Sequence, residues 1–146
     1  MRSCLFLILF SLFCLSGLAQ DPYQGADIDT TTPEGQLLTE AATTEDAAQR
    51  AALYEKFLAD YPDHKHAELA ITQLQTYYTE KQDWDKVLAM SDKLLGLAPS
   101  RADLAHKGLK AAEAKKDTDL LVTWSQKTHK AAGQMAARPK PQDADA

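Results

Sequence analysis

Asp83 and Asp117 each open an amphipathic stretch behind a short polar break, Gln82-Asp83 and Lys116-Asp117, and the interval between them lies in the mid-thirties. An N-capping aspartate after such a break is a helix start signal. A helix pair recurring at a period of this size is the signature of a solenoid, in which stacked pairs bury apolar faces that no pair can bury alone. This spacing favours a one-dimensional stack over a globular bundle. The other punctuation agrees. Pro62 and Pro99 each follow a helical pattern that ends in apolar residues, and proline cannot continue a helix.

Six helical segments and no credible strand emerge. Thr31 or Thr32 can cap a short helix with Pro33 in its first turn, running to about Ala42. Thr44 can cap a second helix over Glu45 to Asp60, with Glu45 and Asp46 at the favourable end of the helix dipole. Asp63 can cap a third over about His64 to Lys81, whose apolar stripe is Ala67, Leu69, Ala70, Ile71, Leu74, Tyr77 and Tyr78. The fourth runs from Trp84 to about Leu97, with Trp84, Val87, Leu88, Ser91, Leu94 and Leu95 marking its buried stripe. Ser100 with Asp103 resembles a capping box for the fifth helix, Arg101 to Lys115. The sixth runs from Thr118 to about Ala132 around Leu120, Leu121, Trp124 and Thr128.

The ends read differently. Met1 to Ala19 has one charge, Arg2, an apolar run from Leu5 to Leu15, and small residues at Gly17 and Ala19, the pattern of a cleaved signal peptide. The run is short for a membrane span of ~20 apolar residues. The alternatives are an uncleaved anchor and a lipoprotein acylated at Cys14, where Phe13 occupies a position that wants a small residue. Both cysteines, Cys4 and Cys14, fall inside this segment, so the mature chain would hold no disulfide, thiolate metal site or cysteine nucleophile. Residues 20–32, with Pro22, Gly25 and three consecutive threonines, read as a flexible leader. Residues 133–146, with Pro139 and Pro141, read as a disordered tail. The helical domain is expected over 33–132.

With Arg2 set aside in the signal segment, residues 20–146 hold 15 basic against 21 acidic side chains. A chain of that length has no room for separate cofactor and substrate domains, and its acidic balance argues against a nucleic-acid partner. No nucleophile elbow or glycine-rich phosphate loop occurs. His64 and His66 are two apart, so a helix would point them to different faces. A zinc pair on one helix wants i and i+4. No cofactor or metal is expected. Trp84 and Trp124 read chiefly as packing residues.

The segment from Glu68 to Arg101 resembles a tetratricopeptide (TPR) unit, through Ile71, Leu74, Tyr78, Trp84 and Pro99. Gln75, Val87, Ser91 and Leu94 depart from the usual residue types, and Gln82 stands where the family has a turn glycine. The flanking units, about 31–64 and 102–130, are weaker. The ending Tyr54, Phe57, Leu58, Tyr61, Pro62, Asp63 looks like units of bacterial envelope proteins. The resemblance implies an all-α solenoid of about three helix pairs and a non-catalytic scaffold or adaptor, periplasmic or secreted, that binds a protein or peptide partner. It further implies that first helices line a partner groove, which names Leu69, Thr72, Thr76, Thr79 and Glu80, then Asp103, His106, Lys110 and Glu113. The alternatives are a helical ligand-binding or enzymatic domain with an unrecognised site, and a self-assembling protein. The last unit lacks a polar capping helix. Self-capping helped by Lys127, His129 and Lys130, coverage by a partner, and self-association through this end are the three options.

Overall fold

The computed structural model describes residues 27–137. The expected signal segment 1–19, the leader up to residue 26 and the tail from residue 138 lie outside the described residues. Six helices follow one another: α1 (Pro33–Thr43), α2 (Ala47–Asp60), α3 (Ala67–Glu80), α4 (Trp84–Leu97), α5 (Ala102–Lys115) and α6 (Thr118–Ala136). Each packs on the next in the chain, and no strand occurs among the described residues. The architecture is all-α and solenoid-like. First helices open at Pro33, Ala67 and Ala102, a nearly constant interval in the mid-thirties, and the starts of α4 and α6 keep the same interval.

Start signals divide by position in the pair. The second helices α2, α4 and α6 all begin on an aspartate whose carboxylate accepts a backbone N–H: Asp46 from Gln49, Asp83 from Lys86, and Asp117 from Asp119 and Leu120. Among the first helices, α1 is capped by Thr32, which accepts from Gly35, while α3 and α5 have no side-chain cap. Three expected caps are therefore corrected. Thr44 donates its hydroxyl back to Glu40 O at 2.7 Å, so α2 starts two residues later on Asp46. Residues 61–66 form tight turns, with His64 N–H on Tyr61 O and Ala67 N–H on His64 O, so α3 starts at Ala67 instead of His64. Ser100 is buried, and Arg101 takes the cap position of α5.

The breaks before Asp83 and Asp117 share an unusual backbone. Gln82 (φ 57°) and Lys116 (φ 55°) are the non-glycine residues in the left-handed region among the described residues. At the end of α3, Gln82 N–H bonds Thr79 O and Asp83 N–H bonds Tyr78 O, the paired bonds of a Schellman ending. Lys116 N–H makes the matching bond to Glu113 O. Both turns thus adopt the conformation glycine adopts most readily, without using glycine.

The main core joins Leu38 and Ala41 of α1, Ala51, Tyr54 and Phe57 of α2, Ala70, Leu74 and Tyr78 of α3, and Val87 and Ala111 beyond them. Ile71, Leu94 and Leu104 form a second cluster. Two features depart from plain apolar packing. Gln75 is fully buried and donates from Nε2 to Ser91 Oγ at 2.7 Å, and Ser91 donates on to Val87 O. This polar pair fixes the register of α3 against α4. Further along, the Trp124 indole lies directly on Gly108, where an added Cβ would collide with the ring. Trp124 is only 2% exposed.

At the last helix, the expected end near Ala132 is corrected to Ala136. Gly133 lies in open space on the surface, where a helical glycine costs only ~1 kcal/mol relative to alanine. Good helix formers on both sides outweigh that. Exposed positions of α6 are mostly polar: Asp119, Thr123, Gln126, His129 and Lys130. Its exposed large apolar side chains, Val122 (53%) and Met135 (55%), fall at positions that point to different sides of the helix. A face of this composition can meet water directly.

The end of the expected leader is tied to the domain. The Asp27 carbonyl accepts from Lys65 Nζ at 3.1 Å and faces His66 Nε2 at 3.0 Å. Ile28 packs against the core. Asp29 presents its carbonyl so close to Gly35 that a Cβ there would clash with it.

Candidate functional site

The first helices α3 and α5 each turn one face away from the second helices, and the groove residues named from the sequence lie on those faces. Thr76, Thr79, Glu80, Asp103, His106, Lys110 and Glu113 are exposed, and Thr72 is half-buried. Leu69 packs against the main core, so only part of its side chain is available.

Between α3 and α5 the surface opens into a cleft of about 330 Å³, lined by Thr76, Thr79, Glu80, Trp84, Lys107 and Lys110. Four of these were named from the sequence. Trp84 and Lys107 were not assigned to the groove. Trp84 belongs to a second helix whose spacing places it on the buried stripe; the structure leaves it half-buried, one side against the core and another toward the cleft. Lys107 lies four residues after Asp103 and three before Lys110. Helical periodicity puts it on the same face, which is the signal that could have found it.

The cleft wall is largely apolar. The reason lies in local helix chemistry. Threonine hydroxyls along α3 are turned back to the helix: Thr72 donates to Glu68 O at 2.7 Å, Thr76 to Thr72 O at 3.1 Å, and Thr79 to Gln75 O at 2.7 Å. Their donor capacity is used, and their methyl groups face outward. The Trp84 ring and the lysine stems supply the rest.

The remaining named residues are arranged elsewhere on the face. Asp103 is held by Arg101, with Oδ1 at 2.9 Å from Nε and Oδ2 at 2.8 Å from Nη2. This fork keeps the Asp103 carboxyl below its ordinary range. Arg101 also reaches Glu68 at 2.7 Å, which links the start of α5 to the start of α3. Lys110 lies 3.4 Å from Glu113, one turn along α5. His106 is exposed without a role in the cleft.

A separate polar cluster sits on the other side of the stack. The Tyr78 hydroxyl donates to Glu55 and accepts from Lys86 Nζ at 3.3 Å, and Lys86 lies over the Tyr78 ring at 4.4 Å. Burial, then the bond to Glu55, pushes the Tyr78 phenol up from its ordinary value. The Tyr78 hydroxyl thereby ties α2, α3 and α4 together.

Among the described residues, no group of three or more His, Cys, Asp or Glu side chains is placed to hold a metal ion. No described helix is long and apolar enough to cross a membrane. Compared with known proteins, the chain matches no family model, no curated protein and no solved structure.

Proposed function

We propose that this chain is an exported protein–protein interaction module of TPR type, a scaffold or adaptor of the bacterial cell envelope that acts by binding. The observation that carries this reading is the cleft between α3 and α5. Thr76, Thr79, Glu80 and Lys110, named from the groove positions of the family, converge there with an accessible tryptophan face. Concave, mostly apolar sites with a few placed charges are the usual form of a binding pocket. A stack of helices with a continuous face on its first helices suits an extended peptide or a partner helix. Export rests on the signal-like composition of residues 1–19.

The test is crosslinked capture from envelope extract, read by mass spectrometry. Wild-type protein should recover one dominant envelope partner. A triple variant, Thr72→Ala, Thr76→Arg and Lys110→Glu, should keep its helical content and melting temperature and lose that partner. Undiminished capture by the variant would reject the groove, and recovery of only the bait would reject the adaptor reading.

A further inference from the structure

The chain ahead of α1 is held on the start of α3 through one backbone oxygen. The Asp27 carbonyl receives Lys65 Nζ at 3.1 Å and His66 Nε2 at 3.0 Å. A carbonyl only accepts, so His66 Nε2 carries hydrogen. Ile28 follows, packed against the main core. Asp29 is fixed locally, because its carbonyl accepts from the Thr32 N–H and hydroxyl. Residues 27 and 28 are therefore the part of this strap that depends on the turn before α3.

That turn needs a neutral histidine. The His66 N–H donates to His64 Nδ1 at 3.2 Å. A backbone N–H only donates, so His64 Nδ1 has to offer a lone pair, and the ring proton sits on Nε2. Protonation turns Nδ1 into a donor facing a donor, and the bond is lost. The half-buried His64 ring stands nearly at right angles to the buried Phe57 ring, with centroids 5.4 Å apart, so its charge would arise beside the core.

The surroundings do not offset that charge. The His64 and His66 rings lie 5.2 Å apart, and His66 shares the Asp27 oxygen with the Lys65 ammonium. The carboxylates of the adjoining segments are Asp60 at the end of α2, Asp63 on the turn, Glu68 in the first turn of α3, and Asp27 and Asp29 on the strap. Asp60 is paired with Lys56, Glu68 with Arg101, and Asp29 accepts from Thr31. Asp27 and Asp63 are exposed, and among the described residues no carboxylate lies within ion-pair distance of either imidazole. A charged His66 would bond the carbonyl more strongly, but beside an ammonium on the same oxygen and a second charged ring the repulsion opposes it.

We infer that residues 27 and 28 form a pH-sensitive strap, seated on the start of α3 while His64 and His66 are neutral and released when they are protonated. Histidine is the side chain that changes charge between about pH 5 and 8, while carboxylates there stay ionised. The strap is therefore held above that range and loosens as pH falls through it. No residue lining the α3–α5 cleft takes part, so the device stands apart from the groove reading.

Two isoleucine methyls provide the readout. Ile28 sits on the strap, and Ile71 belongs to the second core cluster. In methyl relaxation-dispersion spectra of the full chain, acidification from about pH 7.5 to about pH 5.5 should lower the ratio of seated to released Ile28 about fivefold, the worth of one hydrogen bond. The change should follow the titration of the histidine ring signals and leave Ile71 in place. His64→Leu removes the acceptor and should release Ile28 already at neutral pH. The double variant His64→Asn, His66→Gln puts an amide oxygen near the Nδ1 position and an amide nitrogen near the Nε2 position, with no ring to titrate. It should keep Ile28 seated throughout.

A constant ratio in the wild type, a seated Ile28 in His64→Leu, or a pH response that survives in the double variant would each overturn the inference. So would joint movement of Ile28 and Ile71, which marks acid unfolding of the domain instead of release of the strap.

Discussion

The helices around α2 and those around α5 solve one packing problem in opposite ways. Between α1, α2 and α3 the space is filled by large side chains, Leu38, Tyr54, Phe57, Leu74 and Tyr78. On α5 the buried positions are Leu104, Ala105, Gly108, Ala111 and Ala112, and α6 answers with one indole laid on the glycine. The first region fills the gap between helices. The second closes it, because alanine and glycine let backbones approach, and one ring then covers the contact. The same layered stack therefore tolerates different errors at its two ends: missing volume is the danger in the first, added volume in the second.

The sharpest way to break this comparison is to remove a ring from each region. Phe57→Ala and Trp124→Ala should each destabilise by ~3–5 kcal/mol in chemical denaturation. A Trp124→Ala variant that melts like wild type would show that α6 is a loose appendage, not a packed member of the stack. Adding volume should discriminate between the regions more finely. Gly108→Ala places a methyl inside the Trp124 ring and should cost ~1–3 kcal/mol despite the better helix propensity of alanine. Gly133→Ala, in open space on α6, should have the opposite sign and stabilise by up to ~1 kcal/mol. Loss of stability in both would mean that propensity and strain, not the indole contact, set the response of Gly108.

A pH experiment addresses the aromatic region alone. Folding raises the Tyr78 phenol above its ordinary value of 10.0. The protonated form is thus favoured in the fold, and its contribution is intact below pH 10 and lost as pH rises through the folded value. Wild type should lose stability in this alkaline window more steeply than Tyr78→Phe, measured by thermal melts across pH 9 to 12. Parallel curves would remove Tyr78 from the account. The smallest effect is shared by both halves of the stack. Gln82→Gly and Lys116→Gly relieve left-handed backbone at each turn and should stabilise by about 0.5–1 kcal/mol apiece. A cost at either turn would show that the native side chain contributes more than its strained backbone loses.

The legible parts of the fold were those with local causes. The bounds of α4 follow from Asp83 at one end and the Ala98-Pro99 stop at the other, and Asp117 marks α6 in the same way. The α3 start falls at Ala67, past the Asp63 start signal, because residues 61–66 make turns that Phe57 packs against at the His64 ring. Gln75 is another case. Periodicity ranks a glutamine as a surface residue, and only the neighbouring helix supplies Ser91 as the partner of its buried Nε2. The cleft was half-visible for the same reason. Thr76, Thr79, Glu80 and Lys110 are reached only through the resemblance to the repeat family, which supplies groove positions on first helices. Trp84 enters the cleft from the side of a second helix, through an angle between helices that no single-helix pattern contains.

The run of contacts at Asp27 also bears on how the molecule would respond to force. Lys65 and His66 hold the Asp27 carbonyl at the start of α3, ahead of the point where the chain enters α1. A pull applied upstream of residue 27 is therefore first transmitted sideways into α3, the centre of the stack, before α1 is loaded. Ile28 packed against the core and Asp29 seated on Gly35 would have to yield next. Tension applied ahead of residue 27 would thus reach the middle of the solenoid before its first helix is peeled away.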